Sequence, residues 1–206
     1  MNQILVTKSK IHKKKYLLIF QLIISIIVII ATIYFIFFHF YNISKQEKLS
    51  NQIMNNYNLS KLYTNISDDS IENKNNENSN DLFGVIEIPK ISLSYPVFNT
   101  LTEELLKISP CKFYGSNLDE NGNICIAGHN YDNGKFFSNI YMLEPNDEIY
   151  IYYNNIKYMY IVTSNYEVAA NDLSPVFNYD SNQENLTLVT CNNINNNRII
   201  ISASRQ

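Results

Sequence analysis

Between Tyr16 and Tyr41 the chain has no Lys, Arg, Asp or Glu. The clearly polar side chains there are Gln21, Ser25, Thr32 and His39, the last at the end of the run. A helix of roughly 20 apolar residues crosses the hydrocarbon core of a bilayer, and one apolar on every face suits lipid better than the interior of a small domain. Residues 16–41, YLLIFQLIISIIVIIATIYFIFFHFY, are therefore expected to form a transmembrane helix. The run exceeds the roughly 7–15 residues of a signal-peptide core, and no small-x-small cleavage site follows it, so it is expected to stay as a signal-anchor. Acid is also absent before the span, where Lys8, Lys10, Lys13, Lys14 and Lys15 stand. Positive charge stays on the cytoplasmic side. This predicts a single-pass protein of the cell membrane, with residues 1–15 as a cytoplasmic tail and the rest outside.

The part beyond that tail is poor in basic residues. It holds 11 against 19 acidic ones, a net of −8. An acidic exterior argues against nucleic acid as a partner. Cysteine and histidine are scarce too. Cys111, Cys125 and Cys191 all follow the span, and their odd number leaves at least one thiol outside any disulfide within the chain. Cys111 and Cys125 either pair with each other or are two buried thiols, and their spacing does not decide it. His12 lies in the tail and His39 at the membrane edge, so His129 is the one imidazole of the outer part.

Residues 42–81 are polar and rich in Asn, Ser, Lys and Glu, as in SDDSIENKNNENSND, with a short helix possible near Lys45 to Leu62. They read as a stalk. The folded domain is expected over 82–206. FGVIEIP alternates, Pro89 and Lys90 turn the chain, and ISLSYPVF follows as a second strand. TEELLKI has one or two helical turns, GNICIAGH is a buried strand, and KFFSNIYML has helical spacing with Phe136, Ile140 and Leu143 on one face. DEIYIYYN and IKYMYIVTSNYEV form a hairpin around Asn154-Asn155, and LTLVTC and RIIISAS are the last strands. Many short strands, two small helices and no βαβ rhythm predict a mostly β fold, a closed or nearly closed barrel.

A thiol is nucleophilic as its thiolate and needs a cation or a base nearby. Cys191 stands at the lip of a polar turn, where a core cysteine would sit inside an apolar strand. Arg198 opens the next strand seven residues later, so a hairpin sets the two across from each other. His129 ends a strand 62 residues before Cys191, with the polar loop Asn130 to Gly134 after it. Each has an ordinary reading alone: an incidental cysteine, a satisfied edge histidine, a surface arginine in a salt bridge. Together they supply a nucleophile, an acid/base and a fixed positive charge for a developing oxyanion.

TLVTC followed closely by Arg198, with AGHN upstream, resembles the sortases, membrane-anchored cysteine transpeptidases of Gram-positive bacteria. The resemblance covers Leu82 to about Ser204 and implies an eight-stranded β-barrel. It implies Cys191 as nucleophile, His129 as general acid/base and Arg198 as substrate and oxyanion clamp, with Thr190 and Asn130 binding substrate. It further implies that an LPxTG-like sorting peptide of a secreted surface protein is cut between Thr and Gly. The acyl group then passes to an amine acceptor such as a peptidoglycan precursor, with no cofactor and no metal. Asp132 or Asn130 can orient the imidazole, a turn role being the alternative, and Pro175 to Asp180 lie in the loop that shapes substrate choice in relatives. Some relatives use calcium, but Glu103, Glu104 and Asp172 lack ligand spacing for it. The short turn from Cys191 to Arg198 and the lack of a C-terminal apolar run or an N-terminal lid resemble class D or B forms more than pilin polymerases.

Other cysteine chemistries fit less well. L,D-transpeptidases carry Ser-x-Gly-Cys with an arginine two residues on, whereas Thr190 precedes Cys191 here and position 193 is Asn. Papain-like hydrolases place the cysteine first and the histidine later. A non-catalytic, membrane-anchored β-barrel binding module is the remaining alternative, and it predicts a dispensable Cys191.

Overall fold

The computed structural model describes residues 2–66, 82–131, 133–177 and 179–206. The chain divides into two compact units, Met1–Gln46 and Glu47–Gln206. Helix α1 runs without a break over Asn2–Ile66. Neither Gly nor Pro occurs before Gly84, so no residue of this stretch lacks a backbone donor or has the conformational freedom of glycine. The polar segment after the apolar run, expected to hold at most a short helix near Lys45 to Leu62, is thus helical as far as Ile66. The rest of the expected stalk, 67–81, lies outside the described residues. Within α1, Leu18–Tyr41 is long and apolar enough to cross a membrane, with mean hydropathy 2.8 and none of it buried.

The second unit contains eight strands closed into a barrel. They are β1 (Leu82–Ile88), β2 (Leu93–Phe98), β3 (Cys111–Gly115), β4 (Gly122–Ala127), β5 (Glu148–Tyr153), β6 (Ile156–Val168), β7 (Glu184–Cys191) and β8 (Arg198–Arg205). Around the barrel the order is β1-β2-β3-β4-β7-β8-β6-β5. Two short helices, α2 (Glu103–Leu106) and α3 (Ser174–Phe177), complete it. β5 and β6 meet at Asn154-Asn155, whose φ values of 47° and 64° suit a two-residue hairpin turn. Most neighbours are antiparallel, but β4 and β7 run parallel over Gly122–Ala127 and Glu184–Val189.

Alternation sorts the side chains. Ile124 and Ile126, Ile149 and Ile151, Leu186 and Leu188, and Ile201 enter one core with Tyr158 and Tyr160. Each such aliphatic side chain contributes about 1.5–3 kcal/mol by leaving water. The alternate residues of β4 and β7 face outward, and some of these are also covered. Asn123 donates to the carbonyls of Pro175 and Val176 at 3.2 Å each, and Thr187 donates to the Asn123 side-chain oxygen at 2.9 Å. These bonds fasten α3 to the outside of the β4–β7 pair. Cys111 and Cys125, whose pairing was open, are both buried thiols and not a disulfide.

The KFFSNIYML segment departs from expectation. Phe136, Ile140 and Leu143 are all buried, as the spacing requires, but the helix is reduced to a 3-10 turn over Ile140–Met142. Phe136 takes a left-handed φ of 53°, and the Phe137 amide donates to the carbonyl of His129. Tertiary contacts to the His129 strand end override the helical period.

Candidate active site

β7 and β8 pair so that Cys191 lies directly across from Arg198. On the other side of β7, β4 runs parallel, with Ala127 beside Val189. The ladder continues past the end of β4, for the Gly128 amide donates to the Val189 carbonyl at 3.1 Å. Two further residues bring His129 alongside Cys191, and alternation sends both to the outer face with Arg198. The three residues singled out in the sequence thus occupy the ends of three neighbouring strands.

The three cysteines divide sharply. Burial pushes the Cys125 thiol up to about 12, against the opposing pull of a bond from Thr187 and of nearby Lys112. Cys111 is fully buried and its thiol donates to the Ser109 carbonyl at 3.4 Å. Cys191 alone is exposed. Reactive thiols need access, and buried ones far above neutrality are inert.

His129 is half-buried beside a run of rings. Its ring centre is 4.9 Å from Tyr131, which is 5.6 Å from Phe136, which is 5.1 Å from Tyr95. Burial lowers the imidazole pKa below its ordinary value of 6.5, and the charge of Lys107 lowers it further. A neutral imidazole at pH 7 can take a proton from a thiol or an amine. Gly128 is required by packing: a Cβ there would lie 2.7 Å from the ring of Phe137, which is fully buried. The guanidinium of Arg198 donates to the carbonyls of Asn196 and Asn197 at 3.1 and 3.3 Å. Among the described residues it has no carboxylate partner.

Thr190 and Asn130 lie at the same edge, each with an internal partner. Thr190 is 3% exposed, and its hydroxyl donates to the Gly128 carbonyl at 2.7 Å. Asn130 donates from its side chain to the Cys191 carbonyl, also at 2.7 Å. These bonds bind the His129 strand end to the Cys191 strand end, and they give the Asn130 amide a partner other than the imidazole. Asp132 lies outside the described residues. Asp172 caps the Ser174 amide, and Glu103 and Glu104 sit in the first turn of α2. Sequence reading missed Asn123 and Thr187 as the fastening of α3. The available signal was a polar residue in each of two strands that otherwise read as buried.

The eight-stranded barrel thus carries an exposed thiol, an imidazole and an arginine on adjacent strand ends. A sequence model of the sortase domain matches residues 86–206, and the chain belongs to the sortase family. It is 34% identical over 117 residues to sortase A of Bacillus anthracis, covering 56% of this chain and 55% of that protein. The chain thus spans about half the length of that relative. Sortase C1 of Streptococcus agalactiae superposes with a TM-score of 0.56 at 25% identity, covering 61% of this chain and 68% of that one. Sortase C of Clostridium perfringens with the C-terminal cell wall sorting motif gives a TM-score of 0.55 at 24% identity, covering 66% and 78%. The lid mutant of sortase A from Corynebacterium diphtheriae gives 0.54 at 24%, covering 60% and 69%.

Proposed function

We propose that this chain is a membrane-anchored cysteine transpeptidase that joins surface proteins to an amine of the cell wall. His129 takes the proton of the Cys191 thiol, and the thiolate attacks the carbonyl carbon of the Thr–Gly bond in an LPxTG-like sorting signal. Arg198 bears on the oxyanion that forms. The C–N bond breaks as His129 gives a proton to the leaving amine, and a thioester remains on Cys191. An amine, such as that of a peptidoglycan precursor, attacks the thioester while His129 takes its proton. The C–S bond breaks and the thiolate returns. Thr190 and Asn130 border the peptide's path.

The observation that carries this reading is the cross-strand pairing of the one exposed thiol with Arg198. In the same reading residues 1–15 are cytoplasmic, 16–41 span the membrane, 42–81 form the stalk and 82–206 act outside. The short turn between Cys191 and Arg198 fits a class D- or B-like enzyme. The test uses the full-length protein in detergent micelles with quenched peptides of LPxTG, NPxTN and related types and an added amine. Cleavage of one peptide family, an amine-capped product and silence in Cys191→Ala are expected. Equal behaviour of wild type and Cys191→Ala would leave a barrel that binds without reacting.

A further inference from the structure

The turn between Cys191 and Arg198 consists of Asn192, Asn193, Ile194, Asn195, Asn196 and Asn197. It has no apolar anchor, since Ile194 is 94% exposed. Segments with few buried apolar contacts open easily. This one is instead closed by hydrogen bonds. Within the backbone, Asn192 donates to Asn197 and Asn196 donates to Asn192, at 2.9 and 3.1 Å. The side-chain oxygens of Asn192 and Asn195 accept from the amides of Ile194 and Asn197. Their side-chain nitrogens both donate to one atom, Glu167 Oε1, at 3.1 and 2.5 Å.

Glu167 comes from β6, where it pairs with Ile199, one residue beyond Arg198. By alternation it reaches the turn from the opposite side of the sheet to Arg198 and Cys191, and leaves their side open. On the histidine side, Asn193 donates to the Asn130 carbonyl, and Asn130 donates to the Cys191 carbonyl. Arg198 is itself held by the carbonyls of Asn196 and Asn197, so the shape of the turn sets where its guanidinium stands.

We infer that Glu167 is a positioning residue for the transpeptidation, a single acceptor that clamps both limbs of the turn and so holds Arg198 in register with Cys191. The inference rests on the proposed transpeptidase. Bonds to a carboxylate are roughly twice as strong as neutral ones, and a misplacement of about 1 Å can cost about 10²-fold in rate. The clamp works through the acceptor oxygen, which glutamine also has.

The test is peptide turnover by the full-length protein in micelles. Glu167→Ala is expected to lower kcat about tenfold with KM within about twofold, and Glu167→Gln to stay within about threefold of wild type. Asn195→Ala lowers kcat in the same way, and the double variant is no slower than Glu167→Ala, whereas independent roles would multiply. An unchanged kcat in Glu167→Ala, or a glutamine variant no better than alanine, would overturn the clamp. Hydrogen exchange of peptides covering 191–198 in the same preparations gives a readout apart from activity. If wild type turns over no sorting peptide, the transpeptidase reading fails separately and exchange decides the clamp. Faster exchange in Glu167→Ala but not in Glu167→Gln supports it, and equal exchange in all three removes it.

Discussion

The hairpin of β7 and β8 carries an arginine at each end, and the two are treated differently. At the open end Arg205 pairs with Glu184 at 3.3 Å and lies over the rings of Tyr158 and Tyr160, 4.8 and 5.8 Å from their centres. Asp119 accepts from the Tyr158 hydroxyl nearby. That guanidinium is committed to the fold. At the turn end Arg198 meets backbone carbonyls and, among the described residues, no carboxylate, with an exposed thiol across from it. The same residue type on one hairpin thus joins β7 to β6 at one end and, among the described residues, keeps clear of any carboxylate at the other. An arginine's availability is set by its acidic and aromatic neighbours more than by its exposure.

The comparison can be broken most directly at Arg198. Arg198→Ala is expected to lower kcat/KM of peptide cleavage about a thousandfold with little change in Tm, the size found when an oxyanion donor is lost. Its counterpart, Arg205→Ala, is expected to keep activity within about threefold. It should lose about 2 kcal/mol of stability, a fall of about 8 °C in Tm for a domain of this size. Calorimetry and peptide kinetics on both variants separate the two roles. If the two effects were exchanged, the comparison would be reversed.

A smaller effect is expected from Gly128→Ala. The added methyl meets the buried ring of Phe137, and overpacking of this kind costs about 1–3 kcal/mol. The strain falls on the strand end that carries His129, so kcat should drop about tenfold while Cys191 still reacts with a small alkylating agent. An unaltered kcat would mean that the strand end yields without cost.

The smallest effect concerns pH. Burial and Lys107 both hold the His129 pKa below 6.5. Removing the charge in Lys107→Gln is expected to move the His129 titration upward, read from its imidazole resonance, with burial still keeping it depressed. The linkage has a definite sign. The unfolded chain takes up a proton near the ordinary value before the folded one does, so His129 favours folding fully above that value. The contribution fades as pH falls below it toward the folded pKa. A downward shift in Lys107→Gln would contradict this.

Much of the barrel was legible because its strands are local and strongly patterned. EIYIYY and IKYMYIV alternate on either side of Asn154-Asn155, and TLVTC and RIIIS face each other across one short turn, so the pairing of Cys191 with Arg198 followed from sequence. The parallel pairing of β4 with β7 joins residues about sixty apart, and no local pattern encodes it, although it sets the strand end that carries His129 beside the one that carries Cys191. β3 was not foreseen, since CKFYG is short and meets β2 at a single pair, Phe98 with Cys111. The KFFSNIYML segment kept its buried residues but not its helix, because Phe136 turns left-handed against the His129 loop. The asparagines after Cys191 read as a polar turn, while their acceptor Glu167 lies 25 residues before Asn192 on another strand.

The proposed transpeptidation requires a covalent bond between Cys191 and a sorting peptide. Intact-mass measurement of the full-length protein in micelles, incubated with LPxTG-type peptides and no added amine, tests it most directly. A mass increase equal to the peptide acyl fragment is expected, located on Cys191, lost on adding an amine and absent from Cys191→Ala. An adduct on another residue, or none with any peptide of the panel, would contradict it.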